Sequence, residues 1–547
     1  MPSGAAVRAA GLPFHHPAAF WAGCALIVAG VLAHAPMFLM GRHTGWTMVG
    51  MPMSTEMWLG MAAIPLGLLL AGYGLMPRLE EMRRAMRGAG GGMPASINFH
   101  VADGATLNRE HWTLVFVLAV ALVVDVMKPA TLGFVLPGMR GEYRIGTEAA
   151  GLLPLVALTG TTLGSIVWGR IADLFGRRAA ILLSALMFIG TAICGAMPTF
   201  GWNLLMCFLM GLSAGGMLPI VFTLMAETIP AAHRGWLLVA LGGIGTSVGY
   251  LVAAGAAAVL EPLMSWRVLW LLGLPTGMLV LLLNRWIPES PRFLSSVGLP
   301  DQARAVLRRF SREIERDDAA HPGPPVIDEG HPVATTRQLL HGPHAAITRA
   351  LVTCGLAWGV ANFGFLLFLP VNLAELASAS GSLDGSRASG LIARSALWAL
   401  PGIALVVWLY HRWSSLRALV LFVALSTLAL LAFFAMGAAG IRSADALTLA
   451  TAALLVSLSG VIAMLVPYAS EIYPVRLRGT GSGVVAASSK AGGIIGALLG
   501  VAGFFGLFAL SALLVAVPMA VSCVMLLRAG VETRGRRLEE IETAFAE

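Results

Sequence analysis

The sequence predicts an all-α polytopic membrane protein, two bundles of six transmembrane helices preceded by two additional N-terminal transmembrane helices. Three observations predict it. Of the 547 residues, 57% are hydrophobic and only 12% charged, with mean hydropathy +0.81, whereas an ordinary soluble domain is about a quarter charged. A span needs roughly 20 apolar residues, and the chain offers about fourteen such stretches. The loop AETIPAAHRG, after the fourth span of the first six, returns as SEIYPVRLRG after the fourth of the second six. Glu227, Pro230, Arg234 and Gly235 thereby match Glu471, Pro474, Arg478 and Gly479 at identical spacing.

The elements follow in order. Two spans, 18 to 40 and 56 to 77, close with Arg78, Arg83, Arg84 and Arg87. The first is too long for a signal-peptide core and is kept in the mature chain. A Gly-rich linker, 88 to 110, separates this segment (1 to 87) from the first bundle, 111 to 287, with spans at 112–134, 149–168, 179–198, 202–225, 236–260 and 267–287. A polar, arginine-bearing central loop, 288 to 346, leads to the second bundle, 347 to 528, with spans at 347–370, 388–410, 416–438, 445–468, 480–503 and 506–528; a tail, 529 to 547, ends the chain. The 64 glycines suit helices packed closely in lipid.

Charge orients the chain. Arg170, Arg177, Arg178, Arg234, the central loop, Arg412, Arg417, Arg476, Arg478 and the tail arginines fall on one side, which the positive-inside rule makes cytoplasmic; Arg140, Arg144, Arg267, Arg387 and Arg442 fall on the other. Both termini are then cytoplasmic, in a multi-pass protein of the inner (plasma) membrane. The net charge of +8 is a loop property and implies no nucleic acid. Cys24, Cys194, Cys207, Cys354 and Cys523 stand singly, without CxxC spacing, and suggest neither disulfides nor zinc.

Ionisable residues at membrane depth are functional candidates, since each costs at least about 2.5–3.5 kcal/mol to insert. Asp125 lies near the middle of its span, with Lys128 on the same helical face at i+3; Lys490 lies about a third of the way along the eleventh of the twelve. These are the chain's only two lysines, every other basic residue outside histidine being arginine. An ammonium can surrender its proton when buried and a guanidinium cannot. Asp125 is therefore expected to carry a coupling proton, and Lys128 and Lys490, from opposite halves, to bind an anionic group of the substrate. The competing reading is mutual neutralisation of Asp125 and Lys128 with Lys490 snorkelling. Arg394 is a third anion contact or an interfacial anchor. Trp358, Asn362 and Phe365 line the cavity or merely pack.

The loop GRIADLFGRR at 169 to 178 resembles the signature of the major facilitator superfamily, matched by Gly169, Asp173, Gly176, Arg177 and Arg178, with Leu174 where a basic residue is usual. PESPRFL at 288 to 294 and VETRGRRLEEI at 531 to 541 resemble sugar-porter-related members, while the seventh span lacks their Gln-rich and paired-tyrosine pattern. The resemblance, over 111 to 547, thus points to the metabolite:proton symporter branch. It implies alternating access, a latch at Asp173 facing the eleventh helix, and gate salt bridges between the halves from Glu227, Arg234, Glu471 and Arg478. Cys207 stands where many relatives carry a fourth-helix arginine, and the eighth-to-ninth loop, WLYHRWSSLR, is a degenerate second signature.

The function expected is proton-coupled uptake of a small anionic organic metabolite. Alternatives are sugar uptake, facilitated export, or a transporter-like ligand or metal sensor. No catalytic constellation points to an enzyme and no cofactor is implied. The partners are a small-molecule substrate, protons and the lipid bilayer. In the N-terminal pair, His34, Met37, Met40, His43, Met48, Met51, Met53, Met57 and Met61 are soft donors suited to Cu(I); methionine is equally an apolar filler, so the pair holds a metal, docks a partner or scaffolds the membrane domain.

Overall fold

A computed structural model describes residues 16–75, 105–296, 299–310, 344–370, 385–440, 443–473 and 475–533, and among them every regular element is helical. The N-terminal segment contributes α1 (Pro17–Leu32), α2 (Ala35–Met40) and α3 (Thr55–Leu75). The first half holds α4 (Arg109–Tyr143), α5 (Thr147–Phe175), α6 (Arg177–Gly190), α7 (Phe200–Thr228) and α8 (Ala231–Met264), then the short α9 (Val268–Leu271) and α10 (Gly273–Leu283) that together form one span. Outside the membrane follow α11 (Pro291–Ser296) and α12 (Pro300–Phe310). The second half holds α13 (Ala345–Val360), continued by a π-helical turn over Ala361–Leu366, then α14 (Gly385–Arg412), α15 (Ser415–Ala438), α16 (Ala444–Ile472), α17 (Val475–Val501) and α18 (Phe508–Ala529).

Thirteen helices among the described residues are long and apolar enough to cross a membrane. The fourteenth of the expected set, α14, is a 28-residue helix outside that count. Its length suffices to span, and from Leu391 to Trp408 it carries a single charged residue, Arg394.

Local chemistry sets where these helices begin. Asn108 caps α4, its side chain accepting the His111 N–H at 3.1 Å while His111 Nδ1 accepts the Asn108 N–H at 3.1 Å, a reciprocal box that satisfies otherwise orphaned donors. Thr199 and Ser414 cap α7 and α15 by one bond each, their hydroxyls accepting the N–H of Trp202 and of Arg417. Arg144 ends α4 in the left-handed region at φ 52°.

Small residues set how closely the helices meet. A Cβ added at Gly23 would lie 2.6 Å from Ala71 N, one at Gly60 2.6 Å from Gly30 O, and one at Gly74 2.5 Å from Phe20 N. These glycines let α1 and α3 run antiparallel at backbone contact, the small-residue packing expected in lipid. The same device joins α5 to α7, where Gly160, Gly164, Gly211 and Gly215 face opposing backbone. The halves meet along α5 with α17 and along α8 with α14 and α16, and the N-terminal pair packs on α6 of the first half.

A methyl group on the α1–α3 seam has nowhere to go, whereas Gly255 on α8 has nothing within 4 Å of an added Cβ. Gly60→Val should cost about 1–3 kcal/mol by overpacking, read as a drop of a few degrees in the thermal midpoint of the detergent-purified protein. Gly255→Ala should leave the midpoint unchanged or slightly raised.

Candidate functional site

Asp125 and Lys128 sit midway along α4, on one face at i,i+3, with Lys128 Nζ 3.6 Å from Asp125 Oδ1 and the side chains 0% and 7% exposed. Neither Lys128 Nζ nor Asp125 Oδ1 makes a hydrogen bond. The ammonium lies 3.9 Å over the Phe188 ring of α6, a cation–π contact that is worth most when desolvated. Pro129 follows inside the helix and has no N–H to offer the carbonyl four residues back, which is that of Asp125, so the backbone adds a further polar group at this depth. From the other half, Lys490 of α17 donates to the Gly215 carbonyl of α7 at 3.4 Å, a carbonyl that also accepts from Ser165 Oγ at 2.7 Å. Lys490 and Asp125 lie within Coulombic range of one another. The three ionisable residues singled out by sequence thus share one region at the seam between the halves.

The remaining expected substrate contacts fall elsewhere. Arg394 is 60% exposed and 3.9 Å from Asp445, the acid in the first turn of α16; this pairing places it at a helix end, as an anchor would be. Trp358 is 6% exposed and donates its indole N–H to the Leu458 carbonyl at 2.8 Å, tying α13 to α16 within the second half. Asn362 is half-buried in the π-helical turn, a feature frequent at functional sites. Phe365 packs against Phe433 and Phe508. Cys207 is fully buried beside Cys194.

At the turn between α5 and α6, Gly169 is half-buried and Gly176 adopts φ 100°, where an added Cβ would strike the Glu289 carboxylate. Glu289, of the PESPR segment, accepts the backbone N–H of Arg177 at 2.7 Å and of Arg178 at 3.2 Å, so a carboxylate caps the N-terminus of α6, where the helix dipole favours it. Arg178 Nε donates to Asn284 at 2.8 Å, and Arg177 bridges to Glu227 at 3.3 Å. Glu227 therefore pairs within its own half rather than across the seam, because the end of α7 lies closer to the α5–α6 turn than to the other bundle. Arg234 donates to the Ile229 carbonyl of its own loop at 3.3 Å. The side chains of Asp173, Glu471 and Arg478 lie outside the described residues.

The second half repeats the cap. Glu532, placed after α18 as Glu289 is placed after α10, takes the backbone N–H of Ser415 at 3.0 Å and the Ser415 hydroxyl at 2.6 Å, at the start of α15. The degenerate signature WLYHRWSSLR thus retains its carboxylate partner, engaged through Ser414 and Ser415 at the helix start.

Sequence reasoning missed the most completely buried arginine among the described residues. Arg267, 0% exposed, makes a two-pronged pair with Glu142, Nη2 to Oε1 at 2.7 Å and Nε to Oε2 at 3.1 Å. It also donates to the carbonyls of Gly195 and Met197 and to the Tyr143 hydroxyl. Glu142 further accepts the Met48 backbone N–H from the loop between α2 and α3, at 2.9 Å. An acid ending the first helix and a base opening the sixth, both on the outer face by the span count, were the available signal.

Burial pushes the Glu289 carboxyl up to about 7, against the N–H groups of Ser290, Arg177 and Arg178 and the Arg177 charge. The folded protein then holds a proton that the unfolded chain releases near the ordinary value of 4.5. Stability contributed by Glu289 is complete below that value and declines as pH rises through about 7. Glu289→Gln should flatten this decline, measured as thermal midpoint against pH.

A family model described as sugar (and other) transporter matches residues 136–545. The niacin transporter NiaP of Acinetobacter baylyi is 28% identical over 473 residues, covering 80% of this chain and 98% of that one. A synaptic vesicle 2-related protein of Bos taurus is 26% identical over 426 residues, 74% of this chain and 75% of its own. Among solved structures, the proton:xylose symporter XylE with a bromodeoxyglucose bound matches with TM-score 0.61 at 18% identity, over 80% of this chain and 99% of that one, and a partially occluded inward-open XylE from E. coli with TM-score 0.62 at 14% identity, over 79% and 100%; at these identities the likeness is one of fold. With three quarters of its length under the family model and its helices in the corresponding fold, the chain belongs to the sugar (and other) transporter family of the major facilitator superfamily, a multi-pass membrane transporter and not an enzyme.

Proposed function

We propose that the protein imports a small organic anion together with protons across the inner (plasma) membrane, with both termini cytoplasmic. The observation that carries the reading is the buried Asp125–Lys128 pair of one half facing Lys490 of the other. With Asp125 ionised, the two ammonium groups exceed the carboxylate by one charge; with Asp125 protonated, by two. A proton arriving on Asp125 releases Lys128 from its pair, and an isolated buried ammonium is costly unless an anion joins it. Proton and anion therefore each favour the other's binding. Joint occupancy by a proton and a monoanion returns the site to the single excess positive charge it carries when empty, so the halves can close over it and reopen on the opposite side with its charge unchanged.

In this reading residues 111–287 and 347–528 are the two moving bundles, 88–110 and 288–346 are cytoplasmic connections, 529–547 is a cytoplasmic tail, and 1–87 is an accessory pair. Glu289 and Glu532 hold the turns that open α6 and α15, and Arg177 with Glu227 stiffens the cytoplasmic end of the first bundle. The NiaP relative supports a carboxylate cargo, since niacin is a pyridine carboxylic acid and an anion at neutral pH; niacin is the first compound to try.

In proteoliposomes, Asp125→Asn should abolish accumulation driven by a proton gradient while preserving counterflow exchange of labelled substrate; loss of both together would reject Asp125 as the coupling group. Niacin and related carboxylates should raise the thermal midpoint of the purified protein, and Lys490→Ala should remove that shift. Stabilisation by neutral sugars that survives Lys490→Ala would overturn the anion assignment.

A further inference from the structure

The N-terminal helix pair contains a histidine that the transport reading leaves unused. His34 is 1% exposed, and its Nδ1 lies 2.9 Å from the Gly30 carbonyl. A carbonyl can only accept, so Nδ1 carries the hydrogen, and in the neutral ring the lone pair resides on Nε2. That atom is buried with no hydrogen-bond partner. A buried imidazole whose one nitrogen is fixed by a backbone carbonyl while the other is left bare has the orientation of a metal ligand.

The helix register shows what the bare nitrogen faces. Along the antiparallel seam, Phe20 opposes Gly74, Gly23 opposes Ala71, Ile27 opposes Gly67 and Gly30 opposes Gly60 and Ile64; the next step brings His34 to Gly60, whose added Cβ would stand 3.1 Å from His34 Cε1. About one turn further along each side of the seam lie Met37 on α2, three residues beyond His34, and Met57 on α3, three residues before Gly60. Both are buried, at 3% and 1% exposure, and Met48, fully buried, packs on Gly41 just beyond them. Pro36 loosens the chain at this level, where α1 gives way to α2 across Ala33 and His34. Among the described residues no group of three or more His, Cys, Asp or Glu side chains could hold a metal ion. This argues against a zinc-type site, whereas a neutral imidazole with thioethers is a donor set for a soft monovalent cation.

We propose that His34 Nε2 with the thioethers of Met37 and Met57 forms a binding site for one Cu(I) ion between the two N-terminal helices. The site is distinct from the Asp125–Lys128–Lys490 cluster and does not depend on how that cluster works.

The test is titration of the full-length, detergent-purified protein with Cu(I) against a chromogenic Cu(I) chelator, together with X-ray absorption at the copper edge. One equivalent of Cu(I) should resist the chelator, with both nitrogen and sulfur scatterers in its first coordination shell. Loss of even an outer partner typically weakens a metal site by about 10–100-fold, so Met57→Leu, Met37→Leu and His34→Phe should each lower affinity at least about tenfold. The double variant Met51→Leu/Met53→Leu, altering only the half-buried loop methionines, should bind as the unaltered protein does. Met57→Leu and Met37→Leu nearly conserve volume, so the test stands even where His34→Phe fails to accumulate. The proposal is overturned if no equivalent survives the chelator, if the absorption spectrum lacks sulfur, if Met37→Leu and Met57→Leu bind unchanged, or if the loop double variant loses binding.

Discussion

Three charges at membrane depth constrain the rest of this molecule. Asp125 and Lys128 are buried together on α4, with no hydrogen bond at Asp125 Oδ1 or Lys128 Nζ, and Lys490 approaches from the opposite half. Removing such groups from water is expensive, and a pair 3.6 Å apart recovers only part of the cost. A protein concerned with stability alone would do as well with apolar residues of similar volume. In the proposed reading its charge balance changes with occupancy, and the fold places it on helices long enough to carry it to mid-depth, at the seam between two bundles.

The two bundles answer one structural problem in parallel. Each third helix begins immediately after a tight turn, leaving N–H groups at its start without helical partners. In each case a glutamate placed just past the bundle's last helix supplies the acceptor, Glu289 for α6 and Glu532 for α15. The repeat therefore extends beyond the matched AETIPAAHRG and SEIYPVRLRG loops. It persists where the signature has lost its glycines, because the requirement belongs to the helix terminus and not to the arginines around it.

Much of this was legible in the sequence, and the divide has a physical basis. Hydropathy reports each span through its own residues, so the helical fold and the two halves could be read directly, and the depth of Asp125, Lys128 and Lys490 followed from position within a span. Partners distant in the chain could not be read. Glu142 and Arg267 meet only because the end of the first helix and the start of the sixth are neighbours, and Glu227 finds Arg177 rather than a group across the seam. Trp358 and Arg394 have chemistry suited to a ligand, yet Trp358 spends its N–H on a neighbouring helix and Arg394 pairs near a helix end; residue type alone cannot distinguish those uses. α14 was legible in the same way, as an apolar stretch of about the spanning length.

The hydrogen bond from the Met48 backbone to Glu142 bears on the order in which the chain assembles. The N-terminal pair leaves the ribosome first, but Glu142 follows by almost a hundred residues and Arg267 by more than two hundred, so this pair of helices must persist in lipid before its docking surface exists. The glycine seam between α1 and α3 allows that, since it lets two helices satisfy one another without help. Completion of the sixth span of the first half, which delivers Arg267, is then the moment at which a free-standing hairpin becomes part of the transporter.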